Sequence, residues 1–205
     1  MEPNNNERED RLSKLPEAVL QHILSFLDMR IVYETRKLSR MFQHLWLTIH
    51  SLHFDQVFQA SLTKPVPVKG SNLRFTDFVE NVLKARIHNR DDNVVLFHLV
   101  WNELCDSSLF KSFINTALKL NVQDLDLQFV PKNGVFELPD NLFTSKCLKS
   151  FKLSKGVGGL KFRVHLPDNF SLPELTTLHL GFIEDSFEKF FSGCPYLETL
   201  SLEEC

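Results

Sequence analysis

The chain has 205 residues, enough for one or two domains, and its 43% hydrophobic and 24% charged residues are ordinary for a globular protein. A net charge of −3 argues against nucleic acid as a partner, and no apolar run approaches the roughly 20 residues that span a bilayer. Four cysteines without a C-x-x-C pair argue against disulfides and zinc, so we expect a cytoplasmic or nuclear protein.

Residues 1–9 are polar and unpatterned, which predicts disorder, and the helical patterns begin after them. Pro16 suits the first position of a helix, and Glu17 in its first turn suits the helix dipole. One apolar stripe at helical spacing follows, made of Val19, Leu20, Ile23, Leu24 and Leu27. The pattern predicts an amphipathic first helix.

Two more helices are predicted directly after the first. Asp28 and Ser39 are residue types that cap helix N-termini. The apolar-periodic positions behind these caps are Ile31, Val32, Thr35 and Leu38 in one helix, and Phe42, Leu45, Trp46 and Ile49 in the other. Forty residues are too few to bury three such faces alone, so we expect the helices to need another surface, in a partner or in the rest of the chain.

The motif order from residue 10 to residue 46 resembles an F-box. The resemblance rests on "DRLSKLPEAVLQHILSFL" followed by "LSRMFQHLW". It implies docking on a Skp-type adaptor protein through Leu15, Pro16, Leu20, Ile23, Leu24, Leu27, Leu38 and Trp46. The sequence departs from the usual plant pattern at Arg36, Lys37, Met41 and Phe42, and the effect of these departures on adaptor affinity is left open. The alternative is a small helical bundle packed on the rest of the chain.

Beyond residue 50 an apolar-x-apolar pattern repeats along the chain. It occurs in "VQDLDLQF", "LKSFKLSK", "LTTLHLGF" and "LETLSLEEC". The second apolar residue falls at Leu127, Leu153, Leu180 and Leu202, so the steps are 26, 27 and 22 residues, typical of leucine-rich repeats. Earlier copies are predicted at "VVLFHLVW" and "SLHFD", and helices are predicted in "RFTDFVENVLKARI" and "SSLFKSFINTALKL".

These patterns predict an α/β solenoid of parallel strands with helices or irregular turns, preceded by a small three-helix F-box. The phrases "LPELTTLHLGF" and "FFSGCPYLETLSLEEC" resemble the leucine-rich repeats of the plant F-box/LRR, FBD-like family. Members of that family often continue into further repeats and a C-terminal module, so we expect either a truncated form or a fragment. The predicted boundaries are 1–9, 10–50 for the F-box, 51–93 for a connecting repeat-like unit, and 94–205 for the repeats.

No catalytic, cofactor or metal motif is found in the sequence. H-E-x-x-H, G-x-S-x-G, P-loop and G-x-G-x-x-G patterns are absent. Asp124 and Asp126 are predicted to be solvated positions on a strand, residues 88–93 a solvated loop, and Cys194 a small buried side chain. We therefore expect a non-catalytic protein that needs no cofactor.

A protein without catalytic groups must act through a surface, and the repeats predict one. The residue between each apolar pair points away from the core, and equivalent residues of parallel strands align in a row about 4.8 Å apart. The row contains His98, Asp126, Lys152, His179 and Ser201. It is either a surface that binds a target protein or merely the solvated face of a sheet.

Together the resemblances imply a substrate-recognition subunit of a Skp–cullin–F-box ubiquitin ligase. The F-box would bind the Skp-type adaptor and through it a cullin, while the repeats would bind an unknown protein substrate. The chain would itself catalyse no reaction. The alternative is a scaffold or a competitor that binds the adaptor without productive ubiquitination, which the departures at Arg36 and Lys37 favour.

Overall fold

The computed structural model describes residues 12, 14–58, 74–89, 94–105, 107–131, 135–156, 163–164, 167, 170–181 and 192–203. The prediction of disorder for residues 1–9 lies outside the described residues, and so do residues 90–93 of the loop predicted at residues 88–93. The start of that prediction is wrong, because His88 is the last residue of a helix and Asn89 is its C-cap. Within the described part, no helix is long and apolar enough to cross a membrane.

Three short helices open the described chain: α1 (Glu17–Leu24), α2 (Met29–Thr35) and α3 (Arg40–Leu45). Pro16 is the N-cap of α1 and not its first helical residue, because its φ of −56° and ψ of 145° are still extended. Asp28 caps α2 as predicted, and its carboxylate accepts a hydrogen bond of 2.7 Å from the Arg30 N–H. Ser39 precedes α3, but its side chain makes no capping hydrogen bond.

The rest of the described chain is built on parallel strands. A six-stranded parallel sheet has the order β1-β2-β3-β5-β7-β8, and β4 pairs with β6 in a separate two-stranded sheet. Its strands are β1 (Ser51–Asp55), β2 (Leu96–Cys105), β3 (Asp124–Pro131), β5 (Ser150–Lys155), β7 (Thr177–Gly181) and β8 (Thr199–Glu203); the short pair is β4 (Val135–Phe136) and β6 (Arg163–Val164). The sheet, together with its helices, fits the predicted α/β solenoid.

Helices connect the first strands, and a shorter turn connects a later pair. The connections include α4 (Phe75–His88) before β2, α5 (Ser107–Lys119) before β3 and a 3₁₀ helix (Asp140–Thr144) before β5. Both α4 and α5 lie where the sequence predicts helices, and their apolar stripes are buried. The segment Asp140–Thr144, which follows Pro139 as its N-cap, forms a short 3₁₀ connection.

One backbone hydrogen-bond pattern repeats at the starts of β2, β3, β5, β7 and β8. A single carbonyl accepts hydrogen bonds from two consecutive N–H groups of the next repeat. The accepting carbonyls belong to His50, Val95, Gln123, Lys149 and Thr176. The strands therefore start level with one another although the repeat lengths differ, because each start is anchored on the preceding repeat.

The core runs without interruption from the helices α1–α3 into the repeats. Leu20, Val32, Phe42 and Ile49 belong to the same buried cluster as the apolar pairs of the strands. The alternative that the three helices pack on the rest of the chain is therefore correct for one side of these helices. Burial of each large apolar side chain contributes about 1.5–3 kcal/mol, so the sheet supplies much of the stability that forty residues lack.

Candidate interaction surfaces

The apolar stripe of α1 divides into a buried edge and an exposed edge. Leu20 and Leu24 are buried in the core. Val19 and Ile23 are 42% and 41% exposed, and Phe26, just after the helix, is 71% exposed. Since a helix turns about 100° per residue, positions 19, 23 and 26 fall together on one side of the stripe. We call Val19, Ile23 and Phe26 the docking face.

The structure separates the eight residues predicted to bind an adaptor into three groups. Leu20, Leu24 and Trp46 are buried in the chain, so their side chains cannot lie on a partner surface as the structure stands. Leu15 and Leu27 are partly buried against the core. The exposed members are Pro16, Ile23 and Leu38, the last of them 64% exposed.

Two exposed apolar residues, Val19 and Phe26, were missing from the predicted set. The spacing marked Val19 as an apolar position, whereas Phe26 lay outside the predicted stripe. Periodicity alone does not say which edge of a broad stripe faces the chain's own core. The signal that could have found them is the width of the stripe. Four apolar positions on a helix of about two turns, with Leu27 just after it, exceed what one small sheet edge can cover.

The four departures from the family pattern have structural explanations within the chain. The Arg36 guanidinium lies 3.8 Å from the centre of the Tyr33 ring, a cation–π contact. Phe42 is buried, and Met41 packs partly buried against the core. Lys37 is exposed and pairs with Glu34 one turn earlier on the surface. Three of the departures therefore make contacts within the chain, and Lys37 places an exposed charge on the surface.

Several contacts hold the helices α1–α3 against the first repeat. One Asp28 carboxylate oxygen caps α2, and the other accepts a hydrogen bond of 2.9 Å from the Asp55 N–H in β1. Arg86 of α4 is fully buried and donates to the carbonyls of Leu47 and, at 2.9 Å, Ile49. Helix α2 and the segment after α3 are thus held against the first repeat.

Aromatic contacts reinforce this junction. The Tyr33 ring packs edge-on against Trp46 and against Phe78 of α4, with ring centres 5.1 Å and 5.6 Å apart. The Arg30 guanidinium lies 5.1 Å from the centre of the Phe78 ring. Each such contact contributes of order 0.5–1.5 kcal/mol beyond the area it buries. Helix α2 is therefore held on α4 by side chains from both elements.

The row of residues between the apolar pairs is aligned as predicted. The register of the sheet places these residues opposite one another on successive strands, and β1 adds a further member that was not among the predicted site residues, His53. We call the row the strip; its members are His53, His98, Asp126, Lys152, His179 and Ser201. Its missed member lies between Leu52 and Phe54, the same apolar-x-apolar signal that identified the others.

Charge is distributed unevenly along the strip. The Asp126 carboxylate lies 3.4 Å from His98 Nδ1. Burial alone would raise the pKa of Asp126, but the hydrogen bond and charge of His98, with the charges of Lys152 and His179, hold that pKa below its ordinary value. Asp126 therefore stays ionised at neutral pH.

His53 sits where the strip meets α1. Burial and, after it, the neighbouring His98 lower the pKa of His53, while its hydrogen bond to the Ser25 backbone raises it. The His53 and His98 rings are 5.6 Å apart between centres. Ser25 is the C-cap of α1, so the strip begins beside the helix that carries the docking face.

The described residues hold no group of three or more His, Cys, Asp or Glu side chains placed to bind a metal ion. Cys194 is buried as predicted, and burial raises the pKa of its thiol to about 11, so the sulfur stays protonated at neutral pH.

An open groove of about 560 Å³ at the start of the strands is lined by exposed polar side chains, among them Asn121, Lys146 and Lys149.

Comparison with known protein families gives two matches along the chain. The family model described as F-box domain matches residues 12–54, which contain α1–α3 and β1. The family model described as "FBD-associated F-box protein At5g56370, LRR repeats" matches residues 110–205. The first match covers the docking face and the second covers the strip from β3 onward.

Similar whole proteins come from Arabidopsis thaliana. F-box/LRR-repeat protein At3g59210 is 34% identical over 200 residues, which cover 94% of this chain and 39% of that protein. F-box/LRR-repeat protein At2g42720 is 32% identical over 205 residues, 95% of this chain and 44% of that protein. The chain thus spans less than half the length of these relatives. No solved structure matches it at a significant level.

Proposed function

The chain belongs to the F-box/leucine-rich-repeat family with FBD-associated repeats, and from that premise we propose that it is the substrate-recognition subunit of a Skp–cullin–F-box ubiquitin ligase. In this role α1 binds a Skp-type adaptor, which connects the chain to a cullin. The strip binds the protein that is to be modified. The chain itself makes and breaks no bonds.

The observation that carries this proposal is the docking face. Val19 and Ile23 are exposed apolar residues of α1, and Phe26 is exposed just after it, all inside the residues that match the F-box domain. Exposed apolar residues that line up along a helix are typical of a helix that packs into a groove of another protein. The buried edge of the same helix holds α1 in place, so the docking face is presented without rearrangement.

The repeats contribute by holding the target protein close to the partner that is bound at the docking face. A target bound to the strip is held at a fixed distance from whatever is bound to the docking face, because the junction through Asp28, Arg86 and Phe78 is rigidly packed. Tethering two reactants in this way raises their effective concentration, and fixed orientation adds to the gain.

The proposal is tested by co-purification of the chain with a Skp-type adaptor and a cullin. We expect the wild-type chain to recover both proteins and the double variant Ile23→Asp, Phe26→Asp to recover neither. Because both side chains are exposed, the variant should keep its thermal unfolding temperature. Equal recovery of the adaptor by the wild type and the variant would refute docking through this face.

A second candidate function is a scaffold or competitor that occupies the adaptor without delivering a target. The exposed Lys37 beside the exposed Leu38 supports this second function. The charge of Lys37 stands where the usual plant F-box pattern has a small or apolar residue. The same co-purification distinguishes the two functions. Recovery of the adaptor without the cullin favours the competitor, and recovery of both favours the ligase subunit.

A further inference from the structure

The strip has opposite charges on neighbouring strands. Asp124 and Asp126 lie on the open face of β3, and Lys152 lies opposite Asp126 on β5. Lys152 is exposed, while the flanking apolar residues Phe151 and Leu153 are buried. A ligand that crosses from β3 to β5 therefore meets a negative region and then a positive one.

The positive region is surrounded by hydroxyl groups. The open-face residues aligned around Lys152 on β5, β7 and β8 are Ser150, Ser154, Thr177, His179, Thr199 and Ser201. Hydroxyl and imidazole N–H groups donate hydrogen bonds to carboxylate oxygens, as lysine does. This half of the strip is suited to a carboxylate.

The negative region is suited to a cation. Asp126 is engaged by His98, but Asp124 at the start of β3 has a different environment. Burial raises the pKa of Asp124 above its ordinary value, although Lys149 and Lys152 act in the opposite direction. Burial therefore disfavours the ionised form of Asp124 more than the two lysines stabilise it. A further positive charge brought close to this carboxylate would stabilise the ionised form.

The distances fit one kind of ligand. Neighbouring strands lie about 4.8 Å apart, so β3 is about 5 Å from β5 and about 10 Å from β7. In an extended peptide, side chains on one face recur every two residues, about 6.6 Å. A basic side chain over β3 and an acidic side chain two residues away would therefore reach the two regions together.

Resting on the proposed function, we propose that the strip binds an extended segment of the target protein that crosses the strands and carries one basic and one acidic side chain two residues apart. The lysine or arginine lies over Asp124 and Asp126. The aspartate or glutamate lies over Lys152 and His179. Charge complementarity of this kind selects among partners more than it adds affinity.

The test uses three fluorescent peptides of the same length on a Val-Thr background. One carries arginine and glutamate two residues apart, one carries two arginines, and one carries two glutamates. Fluorescence anisotropy with the full chain at low salt should show the mixed peptide binding roughly three- to tenfold more tightly than either uniform peptide, the effect of two half-exposed ion pairs. The preference should weaken as salt is added.

Two charge reversals sharpen the test. Lys152→Glu should shift the preference to the peptide with two arginines, and Asp124→Lys should shift it to the peptide with two glutamates. Lys84→Glu is the matched control, because Lys84 is an exposed lysine on α4, away from the sheet's open face, and it should leave the preference unchanged. Retained far-ultraviolet circular dichroism and adaptor capture show that each variant is folded.

The inference is overturned if the wild type prefers a uniform peptide, binds all three equally or binds none, or if the reversals leave the order unchanged. These outcomes are separate from a failure of the proposed function. If the chain captures the adaptor normally but does not select among the peptides, the proposed ligand of the strip is refuted and the proposed function is not. Normal selectivity without adaptor capture removes the ligase role and leaves the strip as a peptide-binding surface.

Discussion

Single polar side chains at the base of the helices determine how the docking face is held. Asp28 uses one oxygen to cap α2 and the other to bind the backbone of β1. Ser39 occupies the equivalent N-cap of α3, yet its hydroxyl is buried and makes no hydrogen bond among the described residues. Two residues of the same capping class, both identified from sequence, therefore differ in what they contribute.

This difference predicts unequal costs of truncation. Asp28→Ala removes two hydrogen bonds, one of them to the neighbouring strand, and should lower the free energy of unfolding by roughly 2 kcal/mol. Ser39→Ala removes a buried hydroxyl without a partner and should change it by less than about 0.5 kcal/mol in either direction. Urea denaturation followed by circular dichroism measures both. Equal losses for the two variants would contradict the assigned roles.

The environment of His53 predicts a pH dependence of stability. The pKa of His53 is lowered from its ordinary value of 6.5, by burial first and then by His98. The unfolded chain therefore takes up the proton more readily than the folded chain. The stability associated with neutral His53 is complete above pH 6.5 and is lost as the pH falls through 6.5 towards the folded-state value.

His53→Gln should remove this component. Between about pH 7.5 and about pH 5.5 the wild type should lose more of its free energy of unfolding than the variant does, because only the wild type has an imidazole to protonate at this position. The neighbouring groups His98, Asp126 and the Ser25 carbonyl remain in both proteins, so the two proteins differ only in the side chain at position 53. Parallel pH profiles would show that His53 is not the group responsible.

At the scale of elements, the strands of the six-stranded sheet could be predicted from the sequence. The division of the apolar stripe of α1 into a buried edge and an exposed edge could not. Each apolar-x-apolar triplet marked a strand, because its alternation has the period of a half-buried sheet, and even the first triplet, Ser51–Asp55, forms a paired strand. The strip followed from the same alternation. Which edge of α1 is buried depends on contacts with β1 and α4, distant in sequence, and local periodicity carries no information about them.

Helix α4 joins the F-box to the repeats, and its residue Arg86 makes the hydrogen bonds that connect the two. The sequence predicted the apolar stripe of α4 but gave no reason to place an arginine inside the core. Its guanidinium is buried because the chain after α3 leaves the carbonyls of Leu47 and Ile49 without helical partners, and Arg86 donates to both. The cost of burying the charge is offset by these hydrogen bonds.

Arg86→Met should therefore be strongly destabilising. Methionine has a similar reach but no donors, so two buried carbonyls lose their hydrogen bonds, and we expect a loss of about 3 kcal/mol in the free energy of unfolding. Lys84→Met on the same helix removes only an exposed ion pair with Glu80 and should cost less than about 0.5 kcal/mol. Denaturant titration of both variants measures the difference, and similar losses would contradict a role for Arg86 at the junction.

At the scale of the whole molecule, the F-box and the repeats share one hydrophobic core. The three helices lie at the β1 end of the sheet, where they cover what would otherwise be an open end of the repeat array. One consequence is that the docking face and the strip, which begins beside the end of α1, hold a fixed relation to each other. Any ligand that binds the folded docking face also stabilises the repeats, because binding to the folded state alone shifts the folding equilibrium.

The measurement that tests the central claim most directly is a calorimetric titration of a purified Skp-type adaptor into the wild-type chain, Ile23→Asp and Ile87→Asp. Ile23 and Ile87 are equally exposed isoleucines, at 41% and 43%, but only Ile23 belongs to the docking face. The account predicts equal affinity for the wild type and Ile87→Asp, and a loss of at least about tenfold for Ile23→Asp, the effect of removing a central interface residue. The same affinity for all three proteins would contradict it.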